Sequence, residues 1–222
     1  MQRRAPLRTA LPWTFLPYIV MSIVHVTALA TGSDVAPPTK LWLMPLLAIP
    51  VLFSLRVRPA LAIVLLLTAI VFSWLGDGAG AFFPAGPELP LMLLFFGLAH
   101  IAYIVLFTRV LHVRRLPWWT LVYAVWWIAM VIVLAPHTGG LLVAVAAYGL
   151  VLGGTAVFAA RCHPLVVVGS IFFLISDTVL AFRLFLDGMP AWTSPLVMIT
   201  YTLGQGLIIV GALVTLRKRD AR

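Results

Sequence analysis

Long apolar segments alternate along this chain with short breaks that are rich in Gly, Pro and charged residues. A helix needs about 20 apolar residues to cross the hydrocarbon core of a bilayer. Eight segments have this character, at roughly 11–31, 41–55, 59–77, 89–108, 117–135, 140–160, 164–186 and 194–216. The pattern therefore predicts an all-α, polytopic membrane protein with eight transmembrane helices, in which residues 1–222 form a single integral-membrane domain.

The composition excludes the soluble classes of protein. The chain is 63% hydrophobic and only 9% charged, and a soluble domain with this balance could not hydrate its surface. The net charge of +9 does not indicate a nucleic-acid partner, because the basic residues lie in short hydrophilic breaks and are not interleaved with exposed aromatic residues. Arginine far outnumbers lysine, which we interpret as a sign of a bacterial source and a bacterial cytoplasmic membrane.

The distribution of positive charge predicts the orientation of the helices. Cytoplasmic loops carry an excess of Lys and Arg. In an eight-helix arrangement only Lys40 and Arg183 fall on the other side. The cytoplasmic side would hold both termini and thirteen positive residues: Arg3, Arg4, Arg8, Arg56, Arg58, Arg109, Arg114, Arg115, Arg161, Arg217, Lys218, Arg219 and Arg222.

The sequence lacks the common motifs of metal sites, cofactor sites and serine hydrolases. The single cysteine, Cys162, can form no internal disulfide and supplies no pair of metal ligands. The chain has no HExxH motif, no Gly-rich phosphate loop, no dinucleotide fingerprint and no Gly-x-Ser-x-Gly elbow. We therefore predict no metal and no cofactor, and we do not expect nucleophilic serine catalysis.

Asp77 and Asp177 are the two acidic residues, of six in the chain, that fall inside or at the rim of predicted spans. A charged side chain at the centre of a span costs about 2.5–3.5 kcal/mol on insertion scales, so it normally faces the bundle interior and is paired or functional. Both helices would run outward. Asp77 would then lie near the outer rim, and Asp177 about 20 Å from the cytoplasmic start of its helix at 1.5 Å per residue.

Further polar residues are expected to meet these acids in a pocket that opens toward the non-cytoplasmic half. His100 and Tyr103 share one face of the fourth helix, and Tyr201 and Gln205 share one face of the eighth. Lys40 would begin the second helix, and Arg183 would lie at the outer end of the seventh. Two carboxylates beside His and Tyr are suited to proton-transfer chemistry.

Structural interpretations of both acids remain open at this stage. Asp77 precedes a glycine and could end its helix in interfacial water. Asp177 could pair with Arg183 or stabilise helix contacts through hydroxyl groups. The segments FSWLGD (72–77) and FFLISD (172–177) also lie 100 residues apart, which suggests that helices 1–4 and 5–8 are parallel four-helix repeats.

Four ordered motifs carry a resemblance: FSWLGD at 72–77, GLAHIAY at 97–103, GSIFFLISD at 169–177 and TYTLGQ at 200–205. Together they resemble the YhhN-type lysoplasmalogenase membrane family. The resemblance extends over about residues 40–211. Thr39 and Lys40 are similar to the Thr-Lys-Pro that opens the family's second helix, although Leu41 replaces the proline. The segment GAGA at 78–81 departs from the family's pattern.

The resemblance implies hydrolysis of the vinyl ether bond of lysoplasmalogens to a fatty aldehyde and a glycerophosphoethanolamine or glycerophosphocholine. It would begin with protonation of an alkene carbon, followed by capture of the resulting cation by water. Asp177 would be the protonated acid and Asp77 the ionised base, and the reverse assignment is open. Among the remaining candidates, His100, Tyr103, Tyr201 and Gln205 would orient water and glycerol oxygens, and Lys40 or Arg183 would bind the phosphate.

The expected partners are a lysophospholipid that enters laterally from the bilayer, and the membrane lipids themselves. Two other functions remain open. One keeps the fold and hydrolyses a different lipid or ether, and the other is a transporter whose intramembrane aspartates bind a cation. A purely structural membrane protein is a further alternative, but it does not explain why an acidic residue, Asp177, lies inside a span.

Overall fold

The computed structural model describes residues 12–57 and 59–220, and within them the chain is helical with no strand. Eight helices have fifteen residues or more, and one single-turn helix, α4, lies between α3 and α5. The helices are α1 (Leu16–Ala30), α2 (Ala36–Leu52), α3 (Ala60–Asp77), α4 (Ala79–Phe82), α5 (Glu88–Leu106), α6 (Val122–Thr138), α7 (Leu142–Ala159), α8 (Pro164–Phe185) and α9 (Thr193–Asp220). The predicted cytoplasmic residues Arg3, Arg4, Arg8, Arg58 and Arg222 lie outside the described residues.

The apolar character of these helices identifies an all-α polytopic membrane protein. Six stretches in the described residues are long and apolar enough to cross a membrane. One of them, Trp118–Ala159, contains both α6 and α7, and α2 is a shorter apolar helix of 17 residues. That the chain crosses the membrane eight times, with both termini in the cytoplasm, stays a prediction.

The second helix begins five residues earlier than predicted and ends three residues earlier. It starts at Ala36, and Pro37 and Pro38 follow in its first turn. A proline is tolerated there because the N–H that it lacks has no acceptor in the first turn of a helix. Lys40 consequently lies in the second turn of α2 and does not begin the helix.

Other helix ends also differ from the prediction. The predicted helix over 117–135 starts as a 3₁₀ turn, Trp118–Leu121, and α6 then continues through Pro136 until Gly139, whose φ of 52° ends it. The final helix extends past the predicted end at 216 into the basic tail. Helix α5, which corresponds to the fourth predicted span, is followed by a π-helical turn at Phe107–Leu111.

The helices pack around α9, which is the most buried of them. Its most extensive contact is with α8, and the next most extensive contact in the bundle joins α3 and α5. These two pairs correspond to each other under the predicted four-helix duplication. Helix α1 packs on α9 and α2, and α7 lies between α5 and α8. This arrangement brings α2, α3, α5, α7, α8 and α9 to the buried acids.

Candidate active site

Asp77 is the last residue of α3, and its carboxylate is buried against two other helices. Only 3% of its side chain is exposed. Its Oδ1 lies 3.3 Å from Nζ of Lys40 on α2, and the hydroxyl of Tyr201 on α9 donates to Oδ2 at 2.7 Å. Asp77 therefore ends its helix, as one interpretation of the sequence held, but its carboxylate is buried beside an ammonium and a phenol and does not lie in interfacial water.

Asp177 lies on α8 in a second buried cluster. The hydroxyl of Tyr148 on α7 donates to its Oδ2, and Nε2 of His100 on α5 lies 3.8 Å from the same oxygen. The alternative partner Arg183 instead donates to Thr193 Oγ1 and to the carbonyl of Pro190, in the connection to α9. Asp177 is thus held by two helices of the bundle and not by the outer arginine.

The hydrogen bonds of His100 define which of its nitrogens faces the acid. The Thr155 hydroxyl donates to the carbonyl of Val151 at 2.9 Å, so it accepts from Nδ1 of His100 at 3.0 Å. In the neutral ring, Nδ1 then carries the proton and Nε2 is an acceptor. This acceptor lies 3.8 Å from Asp177 Oδ2 and 3.4 Å from the Tyr148 hydroxyl oxygen, so His100 is a polar neighbour of the acid without a direct hydrogen bond to it.

An aromatic group connects the two acidic clusters. The ring of Phe173 contacts His100 at 4.7 Å and Tyr201 at 5.4 Å between centroids, and Phe96 packs on both Phe173 and Tyr201. Since His100 contacts Asp177 and Tyr201 contacts Asp77, the two carboxylates border one aromatic layer. The region between them is apolar except at its two ends.

A third buried network, made of hydrogen bonds, lies one helical turn from Tyr201 along α9. The hydroxyl of Tyr103 donates to Oε1 of Gln205 at 2.5 Å, and Nε2 of Gln205 donates to Oγ of Ser73 at 3.0 Å. All three side chains are almost fully buried. Gln205 thus bonds to Tyr103 on α5 and to Ser73 on α3, which fixes α9 against both helices.

Two apolar crevices in the bundle share Asp177 and Tyr148 as lining residues, and both are partly open to the surroundings. The tryptophan crevice, between α6, α7 and α8, is lined by Trp126, Trp127, Met130, Val131, Leu134, Leu142, Val145, Ala146, Tyr148, Gly149, Leu152, Asp177 and Ala181. The helix-end crevice, between α5, α7 and α8, is lined by Met92, Leu93, Phe96, Val145, Tyr148, Asp177, Leu180, Ala181, Leu184 and Phe185. The Asp177 carboxyl is the only ionisable carboxyl group among these lining residues.

Sequence reasoning identified most of the polar side chains that the fold brings together. Of the predicted residues, Lys40, Asp77 and Tyr201 form one cluster, His100 and Asp177 another, and Tyr103 and Gln205 a third; Arg183 lies apart. The missed residues are Tyr148, Thr155 and Ser73. A signal existed for two of them, because Tyr148 and Thr155 are the polar residues of an apolar segment and lie seven residues apart, on one helical face.

Comparison with known proteins gives a family for this chain. No curated protein and no solved structure matches it. The model of the YhhN family matches residues 35–212, which include all of the clusters around Asp77 and Asp177. The match covers well over half of the chain and includes the four motifs. The chain therefore belongs to the YhhN family.

Proposed function

We propose that this protein hydrolyses the vinyl ether bond of lysoplasmalogens and releases a fatty aldehyde and a glycerophosphoethanolamine or glycerophosphocholine. The observation that carries the proposal is the position of Asp177, a buried carboxyl group where two apolar crevices meet. A single-chain lipid can reach it from the bilayer without exposing its chain to water. Vinyl ether hydrolysis needs one proton donor at this boundary between an apolar chain and a polar head.

The first step is proton transfer from Asp177 to the alkene carbon that does not carry the ether oxygen. The adjacent carbon and the oxygen then share the positive charge of an oxocarbenium ion. Water adds to that carbon and gives its proton to Asp77, whose ionised form the Lys40 ammonium stabilises. Charge therefore develops between two carboxyl groups that border one aromatic layer.

The second step is collapse of the hemiacetal. Its hydroxyl proton returns to Asp177, the carbon–oxygen bond to glycerol breaks, and Asp77 delivers its proton to the glycerol oxygen. One water molecule is consumed, and both aspartates regain their starting states. The Lys40 ammonium beside Asp77 supports Asp77 as the ionised base, and Asp177, which lines both crevices, is then the proton donor.

The test is aldehyde release from an alkenyl lysophospholipid by the purified protein in detergent. We expect Asp77→Asn and Asp177→Asn each to lower kcat by about 10²–10⁴, the usual contribution of a general acid or base. Asp187→Asn is the matched control, because Asp187 is exposed in the connection between α8 and α9. Absence of aldehyde from the wild-type protein contradicts the proposal, and full activity of both variants contradicts the two-aspartate mechanism.

A second candidate is hydrolysis of another single-chain ether or ester lipid. The apolar linings of both crevices favour it, since they select a hydrocarbon chain and not a particular bond. The same preparation assayed with alkenyl, alkyl and acyl lysolipids separates the two candidates. A transporter is less well supported, because the Lys40 ammonium already lies where a cation bound at Asp77 would be.

A further inference from the structure

The tryptophan crevice and the helix-end crevice lie beside each other, one toward α6 and the other toward α5. They share four lining residues of α7 and α8, Val145, Tyr148, Asp177 and Ala181. Asp177 therefore borders both crevices. A molecule that occupies both of them has the carboxyl group beside an interior point of its own length and not beside its end.

The tryptophan crevice has the length and the walls of a site for a hydrocarbon chain. Along α7 it extends from Leu142 to Leu152, which corresponds to about 15 Å at 1.5 Å per residue. Its two tryptophans have fixed orientations, because Trp126 Nε1 donates to Thr178 Oγ1 at 3.1 Å and Trp127 Nε1 donates to the carbonyl of Ala146 at 2.9 Å. Their polar N–H groups are thus satisfied by protein, and their rings contribute apolar surface.

The helix-end crevice leads in a different direction. Its lining includes Met92, in the second turn of α5, and Leu184 and Phe185, at the end of α8. It therefore opens where α5 begins and α8 ends, next to the connections of the chain. A polar head group can reach an interfacial environment from that opening, whereas the tryptophan crevice extends along α7 as far as Leu152 and reaches Trp126 and Trp127 of α6.

We propose that the tryptophan crevice is the binding site for the hydrocarbon chain of the lipid substrate, with the head group directed through the helix-end crevice. The inference rests on the proposed function, since it places the junction of chain and head group at Asp177. It predicts that the protein discriminates substrates by chain length, because a chain shorter than the crevice leaves apolar wall uncovered.

A pair of valine variants on one helix tests this assignment. Val131 lines the tryptophan crevice, whereas Val133, two residues further along α6, is exposed on the outside of the bundle. We expect Val131→Trp to lower kcat/KM for long-chain alkenyl lysolipids at least tenfold, and to affect short chains much less. Val133→Trp should leave both values unchanged. An unaltered chain-length profile in Val131→Trp, with an active wild-type protein, overturns the inference and leaves the proposed function intact.

A binding experiment removes the dependence on activity and on the folding of one variant. The probe is a saturated alkyl lysophospholipid with a diazirine at the end of its chain, used with the intact protein, and crosslinks are mapped by mass spectrometry. We expect labels on α6 and α7 residues of the tryptophan crevice, and loss of these labels with excess unlabelled lysolipid. A diacyl phospholipid with the same diazirine is the control for bulk lipid.

Two results would overturn the inference in that experiment. One is labelling concentrated at Met92, Leu93, Leu184 and Phe185, which would place the chain in the helix-end crevice. The other is equal, non-competable labelling by both probes, which would mean that the tryptophan crevice holds only bulk lipid. Competable labelling in a protein that releases no aldehyde would support the chain site and contradict the proposed function, so the two failures are distinguishable.

Discussion

Asp77 and Asp177 have different polar partners although both are buried in the same bundle. An ionised carboxylate in apolar surroundings is stable only with compensating charge or hydrogen bonds. Lys40 supplies that charge to Asp77. Asp177 instead has the phenol of Tyr148 as donor, and its other polar neighbour is the imidazole of His100 at 3.8 Å.

Tyr148 is the residue whose removal tests this difference most directly. Its hydroxyl donates to Asp177 Oδ2 and so fixes the orientation of the carboxyl group. We expect Tyr148→Phe to lower kcat about tenfold or more with little change in KM, because the carboxyl group loses its orientation and the crevice keeps its shape. The measurement is steady-state aldehyde release at several substrate concentrations.

A double-mutant comparison separates this positioning role from a structural one. In an Asp177→Asn background, Tyr148→Phe should cause no further loss, since residues that act as a unit are not additive. Tyr123→Phe on α6 is the matched control, as Tyr123 is buried but lies outside both crevices. Equal losses from Tyr148→Phe in the presence and absence of Asp177 would contradict the role.

The sequence indicated the two acids because their high cost in a membrane makes them rare. The same argument does not identify Tyr148, since a tyrosine in an apolar helix carries no charge and is common at membrane depth. Its importance arises from tertiary packing, which aligns α7 with α8 and directs the hydroxyl at Asp177. For Arg183 the sequence suggested a contact that does not form. Its charge is close in sequence to Asp177, but its guanidinium donates to Pro190 and Thr193 and not to the acid.

At the level of elements, the closest helix contact in the bundle depends on glycines. A Cβ on Gly204 of α9 would lie 2.8 Å from the backbone nitrogen of Phe173 and 3.0 Å from the carbonyl oxygen of Gly169, both on α8. Small residues let the backbones of membrane helices approach in this way. The contact also packs the ring of Phe173, one turn before Asp177 on α8, against the ring of Tyr201 on α9.

Gly204→Ala should therefore destabilise the protein. Backbone atoms surround the added methyl group, so α8 and α9 must separate, and overpacking of this kind costs about 1–3 kcal/mol in free energy of unfolding. Thermal unfolding in detergent measures the loss. Gly97→Ala on α5 is the control, because its Cβ would lie 3.9 Å from the Tyr148 ring, an ordinary contact. Equal stability of the two variants would contradict the close-packing argument.

The positions of the helices followed from hydropathy, whereas several of their ends did not. Apolar length is enough to identify a span, because the bilayer imposes it. Helix ends depend on local chemistry that hydropathy does not record, as Pro37 and Pro38 in the first turn of α2 and Gly139 after α6 show. The shift of α2 matters for the site, since it moves Lys40 into the helix and onto Asp77.

At the scale of the whole molecule, the orientation in the membrane rests on the positive charges between the helices. Helix α2 decides the count, because at 17 residues it is not among the six stretches that are long enough to cross a membrane, and it contains Pro45 and Pro50. If α2 crosses the membrane, the α1–α2 and α8–α9 connections lie on the same side. If it does not, those connections lie on opposite sides.

Introduced cysteines can decide between these arrangements, because the native thiol is unreactive. Cys162 is 1% exposed in the α7–α8 connection, and burial raises its pKa to about 12, so the reactive thiolate is scarce at neutral pH. We expect a membrane-impermeant maleimide to label Ser33→Cys and Ala191→Cys on intact bacterial cells, and to label Leu116→Cys only after permeabilisation. The unmodified protein should remain unlabelled in both conditions and is the control.

The labelling pattern also shows which leaflet of the membrane the helix-end crevice faces. Labelling of both Ser33→Cys and Ala191→Cys from outside means that α2 crosses the membrane and that the helix-end crevice, which opens where α8 ends, faces the outer leaflet. A lysolipid would then be drawn from that leaflet. Labelling of only one of the two variants on intact cells contradicts the eight-helix arrangement, and labelling of Leu116→Cys alone reverses the orientation and places the opening on the cytoplasmic leaflet.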